Sequence, residues 1–293
     1  MNYELRTEMA SPFTFSFELF PPRTPEGVAK LPGVIRKLAA AGPEYFSVTY
    51  GAGGSTQEGT YETLMTVVRE TGVEAAPHLT CIGSTREGVA EHLSRYREAG
   101  MKRIVALRGD LPATAMSASA PGEFHYANEL VSYIRETHGS AFKIEVAAYP
   151  EMHPQAPNGS VDFENFQRKV EAGADSALTQ LFYNAEAYFD FMERCEKSGI
   201  RIPVIPGIMP ITGFSNTVRF CSGCGADLPR WVRLRLEELQ DDKAGLVEFG
   251  LGVVTHLCER LLKGGAPGLH FYTVNQAEPT LRLLQNLALA VAL

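Results

Sequence analysis

The sequence predicts a single α/β domain folded as a (β/α)8 TIM barrel. Eight short β-rich runs alternate with longer helical segments, together they fill most of the 293 residues, and no linker divides the chain. Strands that alternate with helices form crossover units and a parallel sheet. Eight such units in roughly 250 residues match the size of a closed barrel. A doubly wound open sheet is the structural alternative.

The strands are predicted from short runs rich in aromatic and β-branched residues. They lie at 13–20, 45–50, 74–80, 103–108, 143–149, 176–182, 203–208 and 268–273. Helices are predicted between them at 26–41, 57–71, 85–99, 123–138, 161–173, 185–198, 214–223 and 243–263, with a closing helix at 277–291. The one domain covers 1–293, with 1–12 as an N-terminal extension and 224–242 as an insertion.

The helix boundaries carry local signals. Ser84 or Thr85, followed by Glu87, is typical of an N-cap with an acidic first turn. Glycines follow the predicted helices where a left-handed residue commonly ends them; these are Gly42, Gly72, Gly100, Gly173 and Gly199.

Composition excludes several classes of protein. The net charge is −7 and no block of Lys or Arg occurs, so we expect no nucleic-acid partner. The five cysteines are irregularly spaced, which argues against a disulfide framework. The first residues lack an apolar signal region, and no run of about 18 apolar residues occurs, so we expect a cytoplasmic protein without a membrane partner.

Polar residues are predicted to meet at one end of the barrel. In the first strand Ser16 and Glu18 alternate with bulky apolar residues, so the polar set should face the lumen. Further polar residues fall at the carboxyl ends of other strands: Thr49, His78, Arg108, Asp110, Tyr149, Glu151, Gln180 and Tyr272. Barrel enzymes place their active sites on this rim, so the pattern indicates an enzyme.

Two of these features have alternative interpretations. Glu18 among phenylalanines suits a general acid, but a structural carboxylate paired with Arg23 is equally compatible. Arg108-Gly109-Asp110 can let a ligand approach the backbone at the glycine, or can form a loop ion pair.

A metal site is not expected. His78 and His153 could bind a metal with Glu151 or Asp110, but they lack the tight local spacing of metal ligands, so hydrogen-bonding roles are favoured. Cys221 and Cys224 form a C-x-x-C pair without two further ligands at matching spacing, which favours a surface loop or helix end.

Six motifs in this order resemble methylenetetrahydrofolate reductase, from about residue 13 to 280. They are Ser16-Phe17-Glu18-Leu19-Phe20-Pro21-Pro22-Arg23, Ser47-Val48-Thr49-Tyr50-Gly51-Ala52, Ala76-Pro77-His78-Leu79-Thr80-Cys81, Ala106-Leu107-Arg108-Gly109-Asp110, Ala148-Tyr149-Pro150-Glu151 with His153-Pro154, and His270-Phe271-Tyr272-Thr273. The resemblance implies a barrel that binds FAD, is reduced by NADH or NADPH, and passes a hydride from the flavin to methylenetetrahydrofolate. The product would be 5-methyltetrahydrofolate for methionine synthesis.

The resemblance also implies residue roles. Glu18 would be the acid that opens the folate ring, and Asp110 would lie near flavin and pterin. Gln180, Phe214 and Tyr272 would contact the substrate. The positions that would hold FAD are Thr49, His78, Arg108, Gly109, Asp110, Tyr126, Ala127, Tyr149, His153, Asp162 and Lys169.

The chain departs from the family pattern at Gln276, where many relatives have arginine. The resemblance is to the short bacterial form, so we expect a homo-oligomer without control by S-adenosylmethionine. Rival hypotheses are a barrel glycosidase using Glu18 and Asp110, a flavin-dependent dehydrogenase of a proline-like substrate, and a flavoprotein without catalytic activity. The single Trp231 disfavours the glycosidase, which needs aromatic platforms for sugar.

Overall fold

The structure is a computed structural model that describes residues 13–50, 57–109 and 122–291. These residues form a (β/α)8 barrel, as the sequence predicts. The strands are β1 (Thr14–Leu19), β2 (Tyr45–Val48), β3 (Glu74–Thr80), β4 (Arg103–Leu107), β5 (Lys143–Ala148), β6 (Ser176–Thr179), β7 (Val204–Ile205), β8 (Gly207–Ile208) and β9 (Gly268–Tyr272).

Ten helices are assigned in the described part of the chain. They are α1 (Pro25–Ala39), α2 (Gln57–Thr71), α3 (Arg86–Glu98), α4 (Ala127–His138), α5 (Gly159–Glu171), α6 (Ala185–Lys197), α7 (Phe214–Cys224), α8 (Arg230–Glu238), α9 (Lys243–Lys263) and α10 (Ala277–Val291). All but α8 correspond to predicted helices.

The seventh predicted strand is interrupted at Pro206 and forms two short strands, β7 and β8. These are the two end strands of the sheet, so the chain itself links the two ends at Pro206. The sheet order is β7-β6-β5-β4-β3-β2-β1-β9-β8, with every pairing parallel. β7 pairs with β6, whereas β8 pairs with β9. Proline lacks the N–H that a strand interior needs, but its carbonyl accepts the N–H of His270 at 2.9 Å.

The local boundary signals are largely confirmed. Thr85 caps α3 by accepting the N–H of Gly88, and the glycines predicted to end helices all have positive φ, between 68° at Gly72 and 110° at Gly173. The predicted start of α4, at residue 123, is too early. The helix begins at Ala127, directly after its N-cap Tyr126. Residues 224–242 contain α8, which the sequence reading missed, because only Val232 and Leu236 of this nine-residue helix are buried apolar side chains.

The apolar core lies between the strands and the surrounding helices. Phe17 of β1 packs against Phe46 of β2 and Phe271 of β9, with ring centroids 5.5 and 6.1 Å apart. The opposite face of each strand is therefore left for the lumen, and there the side chains are mainly polar. Among the described residues, no helix combines the length and the apolar character needed to cross a membrane.

Gly207 leaves space for Tyr272 to cross the lumen. A Cβ at this position would clash with the carbonyl oxygen of Thr179 and lie 2.5 Å from the Tyr272 hydroxyl. We expect Gly207→Ala to lower the free energy of unfolding by roughly 1–3 kcal/mol, because a packed backbone and ring cannot move aside freely.

Urea unfolding measures this effect, with Gly33→Ala in α1 as the matched control. A Cβ at Gly33 meets no atom within 4 Å, so the control should gain stability from helix propensity. Equal stability of the two variants would contradict the steric account.

Candidate active site

The floor of the lumen contains a buried charged cluster. Arg103 of β4 donates from Nη1 to Glu145 Oε1 of β5 at 2.9 Å, and both side chains are almost completely buried. Arg103 also pairs with Glu44 at 2.8 Å, towards the solvent. Glu145 accepts two further hydrogen bonds, from Tyr45 at 2.6 Å and from Ser176 at 3.1 Å. The carboxylate is therefore well satisfied inside the barrel.

His270 connects this floor to the mouth of the barrel. Its Nδ1 lies 2.7 Å from Ser16 Oγ, and its Nε2 lies 3.5 Å from Ser47 Oγ and 3.9 Å from Glu18 Oε2. The ring stacks on Tyr45 with centroids 6.1 Å apart. The strand register brings these groups together, because Ser16 is paired with His270 and Glu18 with both Ser47 and Tyr272.

Glu18 lies at the mouth, between two histidines. Its Oε2 is 3.5 Å from Nε2 of the buried His78, and its side chain is 21% exposed. Glu18 is thus accessible from the rim, and its recorded ionic contacts are with histidines rather than with Arg23. Burial lowers the pKa of His78, so this imidazole is neutral near pH 7 and the contact is not a full ion pair.

Tyr272 reaches across the lumen instead of pointing its hydroxyl outward. Its Oη donates to the carbonyl oxygen of Thr179 at 2.5 Å, so the hydroxyl is already engaged. The left-handed residues Val274 and Asn275 follow it, and the Asn275 amide donates to the carbonyl of Phe20 at 2.8 Å. This contact holds the ends of β1 and β9 together beside Glu18. Gln276 is exposed.

A second group of predicted site residues lies at the end of β5 and on α5. The ring centroids of Tyr149 and His153 are 4.6 Å apart, and the backbone N–H of His153 donates to the Asp162 carboxylate at 3.0 Å. Lys169 donates to the carbonyl of Ala147 at 2.5 Å. Burial lowers the pKa of Lys169 to about 8, while Asp162 acts in the opposite direction.

Arg108 connects the end of β4 with the loop after β5. Its Nη2 donates to Gln155 at 2.5 Å, and its Nε donates to the carbonyl of Gly109, which has a φ of 84°. Thr49 lies directly after β2, where its carbonyl accepts the hydroxyl of Thr60. Asp110 lies outside the described residues, so its predicted roles remain predictions.

Tyr126 and Ala127 form the beginning of α4. Tyr126 is the N-cap, its side chain is exposed, and Ala127 is the first helical residue. The Glu129 carboxylate accepts the backbone N–H of Tyr126 at 3.2 Å. The amino end of a helix is a favourable place for an anionic ligand group.

Helix α7 carries one predicted substrate residue and the cysteine pair. Phe214 is its first residue, and Cys221 and Cys224 occupy its last turn, where Cys221 is buried and Cys224 half-buried. The pair therefore lies at a helix end, in agreement with the interpretation as a surface loop or helix end. The Gln180 side chain lies near Cys224, at the end of α7 opposite Phe214.

The structure thus gathers several of the predicted residues into two groups, one around Glu18 and one at the end of β5 and on α5, and adds partners that were not predicted as site residues. Those additional partners are Ser16, Tyr45, Ser47, Arg103, Glu145, Ser176 and His270. The sequence signal that could have identified these partners is a charged residue inside an otherwise apolar strand, such as Glu145. Within the described ranges, His, Cys, Asp and Glu side chains form no group of three that could hold a metal ion.

A family profile described as methylenetetrahydrofolate reductase matches residues 4–288. The chain belongs to the methylenetetrahydrofolate reductase family. The 5,10-methylenetetrahydrofolate reductase of Salmonella typhimurium is 38% identical over 280 residues, which are 96% of this chain and 92% of that one. The Pectobacterium carotovorum enzyme of the same name is 37% identical over 92% of this chain and 89% of its own.

Longer relatives and distant structures also match. The maize methylenetetrahydrofolate reductase (NADH) 1 is 36% identical over 94% of this chain but only 48% of its own length. A Clostridium thermocellum protein described as binding two copies of 5-methyl-5,6,7,8-tetrahydrofolic acid superposes with a TM-score of 0.66. That match covers 95% of this chain and 94% of the other at 15% identity, so it shows the shared fold alone. Membership of the reductase family makes the chain an oxidoreductase of folate metabolism.

The floor cluster gives a stability prediction. Arg103→Met would leave the Glu145 carboxylate buried beside two hydroxyl donors without its guanidinium partner. Breaking a buried pair in this way typically costs about 3–5 kcal/mol, so the free energy of unfolding should fall by that amount. The control is Arg235→Met, which removes an exposed pair with Glu238 and should cost less than about 1 kcal/mol. Similar losses in both variants would show that the floor cluster is not buried as described.

Proposed function

We propose that this chain is a flavin-dependent 5,10-methylenetetrahydrofolate reductase. FAD would supply the hydride chemistry that links the reductant NAD(P)H to methylenetetrahydrofolate in ping-pong order, and the product would be 5-methyltetrahydrofolate for methionine synthesis. The observation that carries the proposal is the placement of Glu18 at the mouth of a reductase-family barrel, partly exposed and within 4 Å of two imidazoles. The folate ligand named for the Clostridium thermocellum barrel supports folate as the substrate class.

The residues at the rim fit FAD. His78 Nε2 is buried and, within the part of the chain that the structure describes, has no hydrogen-bond partner, so a ligand group at the mouth would satisfy it. Arg108 and Lys169 supply positive charge suited to phosphate groups, and the amino end of α4 adds a favourable dipole. We propose that these residues hold FAD together with Thr49, Gly109, Asp110, Tyr126, Ala127, Tyr149, His153 and Asp162.

FAD, when bound, supplies the hydride chemistry. The chain supplies a proton and orientation. Glu18 is open to the rim, so its carboxyl can donate a proton to the folate nitrogen that leaves when the five-membered ring opens. We also propose that Gln180, which directly follows β6, and Phe214, the first residue of α7, contact the pterin and the aromatic part of the folate. We propose that Tyr272 contacts the substrate with its ring, because its hydroxyl is hydrogen-bonded to the carbonyl oxygen of Thr179.

The choice of nicotinamide and the assembly are further proposals. The maize relative is named for NADH, which makes NADH the first reductant to test here. We propose a homo-oligomer, and sedimentation of the purified chain measures its size.

Glu18→Gln separates the proton role from the rest of the site. The amide keeps the shape of the side chain but cannot act as the acid, so reoxidation of the reduced flavin by the folate should slow by about 100-fold or more. Reduction by NADH needs no such proton donor and should change little. Stopped-flow absorbance resolves both half-reactions, and Glu58→Gln on exposed α2 is the matched control. Equal loss in both half-reactions would rule out the acid role.

Lys169 gives a pH prediction for cofactor affinity. Its pKa is lowered by burial to about 8, so the free protein loses this charge as the pH rises through that value. Phosphate binding favours the protonated form. FAD affinity should therefore be constant well below about pH 8 and fall above it, by at most about tenfold per pH unit for one proton.

Fluorescence titration of FAD across this pH range measures how steeply the FAD affinity falls with pH, and Lys169→Met is the matched variant. The variant should bind FAD more weakly at pH 7 and should lose the part of the slope that the ammonium causes. An identical pH dependence of the FAD affinity in both proteins would show that Lys169 is not part of the cofactor site.

A further inference from the structure

The turn that follows β9 has an unusual backbone. Val274 and Asn275 have φ values of 50° and 53°. Residues other than glycine seldom adopt this left-handed conformation, and although asparagine tolerates it, a β-branched valine is a clear outlier there. Strained backbone of this kind persists only where the surrounding structure holds it, and it often lies at functional sites. This turn lies next to the end of β1, which carries Glu18.

The left-handed turn places the Asn275 amide against the backbone of Phe20. The Phe20 N–H donates to Asn275 Oδ1 at 3.1 Å, and Asn275 Nδ2 donates to the Phe20 carbonyl at 2.8 Å. One side-chain amide thus satisfies both backbone groups of one residue, as the backbone of a neighbouring strand would. Because β1 ends at Leu19 and β9 at Tyr272, the Asn275 side chain continues the pairing of these strands beyond their last residues.

Thr273 holds the same strand two residues earlier. Its hydroxyl donates to the Glu18 carbonyl at 2.7 Å and accepts the backbone N–H of Asn275 at 3.2 Å. On the other side of β1, the Thr49 N–H donates to the Leu19 carbonyl at 2.9 Å. The end of β1 is therefore fixed residue by residue, and none of these contacts uses the Glu18 carboxylate.

The position of the Glu18 carboxylate depends on this support, because its own contacts are long. Within the described residues, the imidazole nitrogens of His78 and His270 lie 3.5 and 3.9 Å from it. A charge-assisted hydrogen bond is shorter, at about 2.7–2.9 Å. The carboxyl group is therefore placed mainly by the strand that carries it.

We propose that Asn275 is a positioning residue for Glu18, which it serves by clamping the backbone of Phe20 from the left-handed turn. The clamp is the pair of hydrogen bonds between the Asn275 amide and Phe20. It fixes the end of β1 and leaves the Glu18 carboxyl group free for the folate. The value of the clamp to the reaction rests on the proposed function, whereas the clamp itself does not.

Hydrogen exchange at the Phe20 amide of the FAD-loaded chain tests the clamp without any turnover. This amide should exchange at least about tenfold more slowly than an open amide, because its proton is engaged. Asn275→Gly keeps a residue suited to the left-handed turn but removes both hydrogen bonds, so exchange should become about tenfold faster. Val274→Gly is the matched control, because it makes the same change one residue earlier and keeps the Asn275 side chain.

Two results of this exchange experiment would overturn the clamp. One is rapid exchange of the Phe20 amide in the unmodified chain, which decides the matter even if Asn275→Gly does not fold. The other is equal exchange in the unmodified chain and in Asn275→Gly.

Stopped-flow absorbance of the folate half-reaction tests the link to Glu18. A displacement of about 1 Å costs on the order of 100-fold in rate, so Asn275→Gly should lower the limiting rate of flavin reoxidation by about tenfold or more. The folate concentration at half-saturation and the reduction by NADH should change little, because neither depends on the placement of the acid. Val274→Gly should retain most of the rate. A loss confined to the half-saturating concentration would assign Asn275 to folate binding and overturn the positioning role.

A double-mutant cycle separates an effect through Glu18 from general damage. In Glu18→Gln, which no longer supplies the acid, the further change Asn275→Gly should slow reoxidation much less than it does alone, because coupled residues are not additive. Losses that add in full would overturn the inference. If the folate does not reoxidise the flavin of the unmodified chain, the proposed function fails and the positioning role fails with it, whereas the exchange measurement still decides whether the clamp exists.

Discussion

The buried pair between Arg103 and Glu145 is the constraint on which the interior of this barrel depends. Two charges without solvent are stabilised only when their remaining donors and acceptors are satisfied. Here Tyr45 and Ser176 donate to Glu145, and Glu44 accepts from Arg103, while Arg103 Nε lies 3.6 Å from a carboxylate oxygen of Glu74, too far for a hydrogen bond. This requirement fills the floor of the lumen with polar side chains, and His270, beside Glu18, stacks on one of them, Tyr45.

The barrel divides the proposed chemistry between two sides of its rim. The strands β1, β2, β3 and β9 bring Glu18 together with its imidazole and hydroxyl neighbours, where a proton is needed. The end of β5 and helix α5 bring Tyr149, Asp162 and Lys169 together, where a charged cofactor group is expected. Arg108, directly after β4, hydrogen-bonds to Gln155 in the loop between β5 and α5. The barrel fold makes this separation possible because each strand ends at the same rim.

Much of this organisation was predictable from the sequence, because strand alternation is a local property. The alternation in β1 correctly placed Ser16 and Glu18 on the lumen face, and the glycines that end helices were recognised from their positions alone. The partners of those residues were harder to predict. That Glu18 faces His78 and His270 depends on the register of parallel strands distant in sequence, which no local pattern encodes.

Other features depend on packing rather than on pattern. Helix α8 carries only a weak apolar stripe, so it was read as an insertion, and the exchange of partners at Pro206 is visible only when the sheet closes. Glu145 was readable as a strand residue but not as the partner of Arg103, since the two meet only across the β4–β5 pair. The family resemblance supplied the proposed roles of Gln180, Phe214 and Lys169, which their local sequence does not indicate.

The central claim is that this barrel holds a flavin that accepts electrons from a nicotinamide and passes them to a folate. The most direct measurement is the visible absorption spectrum of the purified protein under anaerobic conditions, first alone, then with NADH, then with methylenetetrahydrofolate. The account predicts an oxidised flavin spectrum that NADH bleaches and the folate restores. A protein that stays colourless after incubation with FAD, or a reduced flavin that the folate fails to reoxidise, would contradict it.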